Sequence, residues 1–301
     1  VASPLDIMLP YYGDVGLMQT TVRSVLAQDD PDWRLTVVDD GYPDDSIPGW
    51  FESLGDGRIK YLRNEENLGA NRNFQKCLDL VEHELVVVMG ADDVMLPNYV
   101  RTVQSAHRSH PNATIIQPGV ELIDENGEPA KTLVDQAKRR LYAPKGRGRQ
   151  IFCGEDLAIS LLRGNWLYFP SLTWRADAIT KVGFREGLNV VQDLALVMDL
   201  VQRGDQLVVD DTVCFQYRRH RASDSSWRAM AGTRFIEERN YFLDVARRLD
   251  EQGWSRAAKV ARSHVSSRLH ALTLLPKALK NKHSEGTRNL TRHAFGPSKR
   301  I

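Results

Sequence analysis

The stretch LVVVMGADDVMLP, residues 85–97, sets the reading of the whole chain. Leu85 to Val88 form an apolar run dominated by β-branched valine, which predicts a buried strand. Two adjacent acids, Asp92 and Asp93, follow the strand's end. Pro97 is expected to open the next helix, because its missing N–H has no partner to lose there. Ligands of open α/β sheets bind just outside the carboxyl ends of strands. Two carboxylates at that place suit a hard divalent cation, and such a cation commonly bridges a diphosphate. A solvated turn would use the same residues, since aspartate is common in turns.

Working outward, strands are expected at Leu5–Leu9, Leu35–Val38 and Ile59–Leu62, with helices at Gly16–Gln28, from Ser46, and at Ala70–Val81. Strand and helix alternate at intervals of about 25 residues, which argues a parallel sheet with helices on both faces. Right-handed crossovers then bring Asp14, Asp39, Asp40, Asn67, Asp92 and Asp93 to one rim. Further on, a helix is expected at Tyr99–His107 and a strand at Ile115–Ile123. Lys131–Gln150 is polar and basic, which suits a mobile surface loop, either a plain solvated one or a lid. Trp166, Tyr168 and Phe169 form an aromatic cluster, either core or a wall against an apolar sugar face. A helix at Asp193–Gln202 and strands at Leu207–Val209 and Val213–Tyr217 follow. Phe235–Leu249 and Ser255–Leu275 have helical spacing. The second is amphipathic and basic, as an interfacial helix or one packed on the body would be.

With 301 residues and 42% hydrophobic content, the chain can bury a sizeable core. Its net charge is +1, but unevenly spread. From Arg256 to Ile301 there are 11 Lys and Arg and one acid, or +10, against −9 for the remainder. That asymmetry suggests an anionic membrane surface or a nucleic acid. No base-reading or RNA-stacking motif accompanies it, so nucleic acid is not expected. Cys77, Cys153 and Cys214 have no ligand spacing, which fits a reducing compartment without disulfides or a zinc site. No apolar run is long enough to span a bilayer. The opening VASPLDIMLP lacks a basic n-region and a long h-region, so no signal peptide is expected. The expected location is cytoplasmic, peripheral on the cytoplasmic face of a membrane.

Six ordered blocks across about residues 5–225 together resemble family 2 glycosyltransferases of the GT-A fold. LPYYGDVGLMQTTVRSVLAQDDPDWRLTVVDDG resembles the family's opening strand, its S-V-L-x-Q helix end and its V-V-D-D-G-S block. NEENLGANRNFQKCL resembles the N-x-G-x-x-x-x-R-N region, and MGADDVMLPNYV the D-A-D-D metal block. SLTWRADAITKVGFRE resembles the segment before the acceptor site. VVQDLALVMDLVQRG resembles the E-D-x-x-x-x-x-R-x-x-x-G block, and YRRHRASDSS the Y-R-x-H-x-x-S ending. Three positions depart: Gly90 replaces the first acid of D-A-D-D, Tyr42 a serine, and Gln192 the Glu before the base position.

The resemblance implies an α/β fold of the GT-A kind: a Rossmann-like, mostly parallel mixed sheet flanked by helices. Residues 1–230 would be the transferase domain, with a donor half to about 125 and an acceptor half from 126. Residues 231–301 would be a basic helical extension. The implied reaction is inverting transfer from a nucleoside-diphosphate sugar, UDP first with dTDP or GDP open, to a glycan or lipid-linked acceptor.

The resemblance also assigns roles. Asp93 and His220 would hold Mn²⁺ or Mg²⁺. Pro10, Tyr11, Asp14, Asp40, Asn67, Gly69, Arg72 and Asp92 would contact the donor. Tyr11 would stack on the base, Asp40 would accept a hydrogen bond from it, and Arg72 would sit near base or diphosphate. Asp193 would be the general base, though an acid at a helix N-terminus is favoured by the dipole in any case. Trp166, Tyr168 and Gln192 would lie on the acceptor side. His220 is a ligand or a surface residue, and the neighbouring arginines could face phosphates. The apolar face of the C-terminal helices could equally make a homodimer.

A dinucleotide-dependent oxidoreductase would want G-x-G-x-x-G after the first strand, which LPYYGDVG lacks. A sugar nucleotidyltransferase would want a Gly-rich basic loop there. A degenerate, non-catalytic domain that binds nucleotide or a membrane partner has Gly90 and Gln192 in its favour.

Overall fold

The structure, a computed structural model, describes residues 3–130, 142, 146–219, 233–280 and 284–297. Among the described residues, nine strands form one mixed sheet: β1 (Leu5–Tyr11), β2 (Trp33–Asp39), β3 (Ile59–Arg63), β4 (Leu85–Val88), β5 (Val94–Met95), β6 (Ala113–Ile123), β7 (Gln150–Phe152), β8 (Thr173–Arg175) and β9 (Gln206–Arg218). The order is β3-β2-β1-β4-β8-β6-β9-β5, with β7 also on β9. The β3-β2-β1-β4 half is wholly parallel. Antiparallel pairing enters with β8, β5 and β7. The chain reverses direction across the sheet between β1 and β4, so a crevice opens beyond their carboxyl ends.

Helices α1 (Val15–Leu26), α2 (Ser46–Leu54), α3 (Ala70–Asp79) and α4 (Tyr99–Ser109) connect this first half. Local signals explain them. Asp14 caps α1, accepting a hydrogen bond from the Leu17 N–H at 2.8 Å. Gly55 ends α2 in the left-handed conformation. Pro97 does not open α4, which starts at Tyr99; the residues just ahead of the proline, Val94–Met95, pair with β9.

The expected two strands at 207–217 are one 13-residue strand, β9. The polar Asp210-Asp211-Thr212 run between them is a bulged stretch opposite Gly119. A Cβ on Gly119 would lie 2.7 Å from the Thr212 carbonyl, so the two backbones approach only because residue 119 is glycine. The end of the expected mobile loop is anchored. Arg149 pairs with buried Asp210 at 2.7 Å and donates to Ser105 and Ser109 on α4. Residues 131–141 and 143–145 of that loop lie outside the described residues.

Helices α5 (Gly154–Arg163), α6 (Ala176–Val182) and α7 (Gln192–Gln202) cover the second half. Four more follow: α8 (Thr233–Glu251), α9 (Ser255–Ser263), α10 (Val265–Lys280) and α11 (Ser284–Phe295). They do not share one separate core. Tyr241, Phe242, Val245 and Leu249 of α8, and Ala257 and Ala261 of α9, belong to the main core with Trp174 and Leu196. The remaining two helices pack on Phe235 through Ala271, Ala278, Leu290 and Ala294. The helix expected across 255–275 breaks at His264, which has φ +31°.

Candidate active site

The turn after β4 carries the two acids. Met89 N–H bonds to Met8 C=O, keeping the chain on β1 for one more residue. Asp92 is half-buried and Asp93 only 1% exposed. The turn is held from two sides. On α1, Thr21 Oγ1 donates to the Asp93 carbonyl at 2.7 Å. On β9, Arg218 donates its backbone N–H to Asp93 Oδ1 at 2.8 Å and its Nε–H to the Asp92 carbonyl at 2.7 Å. Its Nη1 also reaches the carbonyls of Asp124 and Glu125. Arg218 is therefore an internal strut rather than a phosphate-facing surface residue; it is 6% exposed.

Asp93 Oδ2 is buried without a hydrogen-bond partner among the described residues. Burial, then the neighbouring Asp92 charge, pushes the Asp93 carboxyl well above the usual range, against the pull of Arg218 and Arg219. A carboxylate oxygen in that state calls for a proton or a cation. An oxygen donor of this kind fits Mn²⁺ or Mg²⁺. The second expected ligand, His220, lies outside the described residues. Gly90 has a local reason: a Cβ there would stand 2.5 Å from Asp93 Oδ2 and 3.0 Å from Asp92 Oδ1.

Tyr217, at the end of β9, marks the centre of the group. Burial pushes its phenol up to about 12; Arg219 opposes this, and the charges of Asp93, Asp92 and Asp193 add to it. The charges of three carboxylates, two from the turn after β4 and one from α7, are thus all felt at this phenol. Tyr168 packs on that ring at 5.4 Å between centroids, and the Arg219 guanidinium lies 4.9 Å from its centre. Asp193 occupies the first turn of α7, half-buried, with Oδ1 accepting the Leu194 N–H.

The approach to Asp193 is pinned by residues far away in sequence. Glu237 Oε1 on α8 accepts the N–H groups of Asn189, Val190 and Val191 at 2.9, 2.7 and 3.0 Å. Gln192 Oε1 accepts from Asn71 Nδ2 on α3 at 2.8 Å. Neither Glu237 nor Asn71 was a sequence candidate. A contact across 46 or more residues leaves no local pattern to read.

The expected donor residues divide into exposed and internal ones. Asp40 is 2% exposed and satisfied internally: Oδ1 accepts from Asn64 Nδ2 and Leu68 N–H, Oδ2 from Gly69 N–H. It shapes the Asn67–Gly69 turn, where Asn67 Oδ1 also accepts from Gly69 N–H and Gly69 has φ +81°. Tyr11 offers no stacking face. It is 1% exposed, and its hydroxyl donates to the Gly13 carbonyl. The open aromatic there is Tyr12, 57% exposed and edge-on to Tyr42. Pro10 is inside β1, paired with Val38. Asp14 is committed as the α1 cap. Arg72 lines a cavity of about 510 Å³ along α3, with Asn71, Lys76, Phe184 and Glu186. Trp166 is core rather than a sugar wall, buried with its indole N–H on Ser160.

A mixed sheet with a parallel half, and carboxylates just beyond the strand at its switch point, is the arrangement of the GT-A fold. Residues 6–168 match the family model described as glycosyl transferase family 2, and the chain belongs to that family. The uncharacterized Mycobacterium tuberculosis protein MT1568 is 27% identical over 256 residues, covering 80% of this chain and 75% of its own. A Bacillus subtilis protein described as a teichuronic acid biosynthesis glycosyltransferase, TuaG, is 23% identical over 79% of this chain and 90% of its own. The structure of Staphylococcus aureus TarS 1–349 with UDP-GlcNAc superposes with a TM-score of 0.60 at 12% identity, covering 97% of this chain and 90% of that one. The mannosyltransferase PcManGT of Pyrobaculum calidifontis, solved with GDP-Man and Mn²⁺, gives 0.58 at 14% identity, covering 98% and 85%. No helix among the described residues is long and apolar enough to cross a membrane.

Proposed function

We propose that this protein is a metal-dependent, inverting glycosyltransferase acting in cell-envelope polysaccharide or glycolipid synthesis. It takes a sugar from a nucleoside diphosphate, UDP first with dTDP or GDP open, and adds it to a hydroxyl of a glycan or lipid-linked acceptor. The observation that carries this is the buried Asp93 Oδ2, without a hydrogen-bond partner among the described residues, beside Asp92. The carboxylate pair suits the diphosphate end of a donor, and the Asp193 carboxylate suits the acceptor end. TuaG's description and the ligands of TarS and PcManGT support the substrate class.

Asp93 would hold the cation through Oδ2, with His220 as a second ligand. When bound, Mn²⁺ or Mg²⁺ stabilises negative charge on the departing diphosphate. Asp92 contacts the donor sugar or ribose. Asp193 takes the acceptor hydroxyl proton as that oxygen bonds to the anomeric carbon. The bond from that carbon to the diphosphate oxygen breaks, and its electron pair leaves with the diphosphate. Tyr12, exposed beside Tyr42, would meet the base, and Tyr168 would flank the acceptor. The protein works at the cytoplasmic face of an anionic membrane, where a lipid-linked acceptor is presented.

The test is a thermal-shift screen of UDP, GDP and dTDP and their sugars, each with Mn²⁺, Mg²⁺ or EDTA. Binding confined to the native state stabilises by about 2.7 kcal/mol at a hundredfold excess over Kd. A metal-dependent shift with one nucleotide names the donor class. No shift with any of them, on folded protein, overturns the catalytic reading in favour of a degenerate domain.

A further inference from the structure

We infer that the outer face of α10 and α11 is a docking surface for an anionic lipid bilayer. The inner face of α10 is occupied: Ser267, Ala271 and Ala278 are buried against α8 and α11. At 3.6 residues per turn, Val265, Leu269, Pro276 and Leu279 fall on one stripe opposite that face, while Leu272 on the same side is half-buried against the Phe235 cluster. Val265, Leu269 and Leu279 are 55%, 54% and 61% exposed. Lys277 and Lys280 are exposed on the same helix. The pattern repeats on α11, where Gly286, Leu290 and His293 are buried and Arg288, Arg292 and Phe295 share the opposite side. Phe295 is 70% exposed. Among the described residues, four of the seven large exposed apolar side chains lie on these two helices. Single exposed apolar residues need no explanation, but a helical stripe of them does.

Charge selects the occupant. These helices lie in the segment that carries +10, against −9 for the rest of the chain. A second copy meeting the same face would bring two such segments together, which like-charge repulsion opposes. A nucleic acid would leave the apolar stripe in water. An anionic bilayer satisfies both parts: leucine, valine and phenylalanine enter the headgroup boundary, while lysine and arginine reach lipid phosphates. The inference deepens the membrane-facing part of the proposed function and rests on it for where the acceptor lies.

The experiment is flotation of the full chain with phosphatidylcholine vesicles, with and without phosphatidylglycerol, at low and high salt. Binding is expected with phosphatidylglycerol alone and to fall with salt. Leu269→Glu with Leu279→Glu should cut it at least tenfold. Each of Lys277→Ala and Lys280→Ala should cut it about fivefold. These side chains are exposed, and unchanged melting temperatures will show that the variants fold. Equal binding with and without the anionic lipid, or variants that float like the parent, overturns the inference. A concentration-dependent dimer that Leu269→Glu dissociates, without vesicle binding, overturns it in favour of a second copy. The nucleotide shift is read on the same samples. Retained nucleotide binding without flotation sinks this inference alone, and flotation without nucleotide binding sinks the catalytic reading alone.

Discussion

Arg218 donates its backbone N–H to Oδ1 of Asp93 at 2.8 Å, while Oδ2 of the same carboxylate is buried without a partner among the described residues. One oxygen is positioned by the end of β9, and the other is left to a ligand. Asp93→Asn removes a buried charge, so its melting temperature in EDTA should hold or rise. The nucleotide shift induced by Mn²⁺ should vanish. A variant that loses stability in EDTA yet keeps the shift would refute this assignment.

Gly90 leaves room for both carboxylates. Gly90→Ala is expected to push the Asp93 side chain aside, since its Cβ would lie 2.5 Å from Oδ2. Metal-dependent nucleotide affinity should fall about tenfold, roughly 1.4 kcal/mol. Isothermal titration with Mn²⁺ present measures it. Unchanged affinity would show that the acids do not need their present arrangement.

Glu237 ties α8 to the chain just ahead of Asp193 through three backbone N–H groups. Glu237→Ala leaves those donors without their acceptor and should cost about 1–3 kcal/mol in urea unfolding. Donor turnover should fall further than the stability loss explains, because the start of α7 carries the proposed base. Activity unaffected at a temperature where the variant is folded would separate α8 from the site.

His264 and His293 are buried side by side, 5.3 Å between ring centres, where α8, α10 and α11 meet. Arg239 of α8 and Arg268 of α10 face both rings; Ser267 bridges His293 to Glu238, which pairs with Arg234. Burial first, then these positive neighbours, pushes His264 down to about 4 and His293 to about 3. Unfolded histidine takes its proton near pH 6.5. The unfolded chain therefore binds more protons as pH falls below about 6.5, and stability drops until the folded rings titrate near 4 and 3. The loss is at most about 1.4 kcal/mol per pH unit for each ring. Melts at pH 7 and pH 5 should show a smaller difference in His293→Gln than in the parent. An equal difference would place the acid sensitivity elsewhere.

The alternation of strands and helices through β4, and the position of the acids at a strand's carboxyl end, are legible in the chain's local pattern. Those features follow from short-range physics: β-branched runs, helical periodicity and turn residues act within a few positions of one another. Asp92 and Asp93 were legible for that reason. Tertiary structure decided what local pattern cannot carry. It turned Arg218 from a surface arginine into a strut, because β9 pairs with β5 and brings residue 218 against residue 93. It buried Asp40, which the strand order placed at the rim but which the 67–69 turn consumed, and Tyr11, which the family resemblance had stacked on the base. It merged α8 and α9 into the main core, since an amphipathic helix shows which face is apolar but not what covers it. Contacts such as Asn71 with Gln192 and Glu237 with Val190 join residues 121 and 47 positions apart. Only a folded chain brings such pairs within hydrogen-bonding distance.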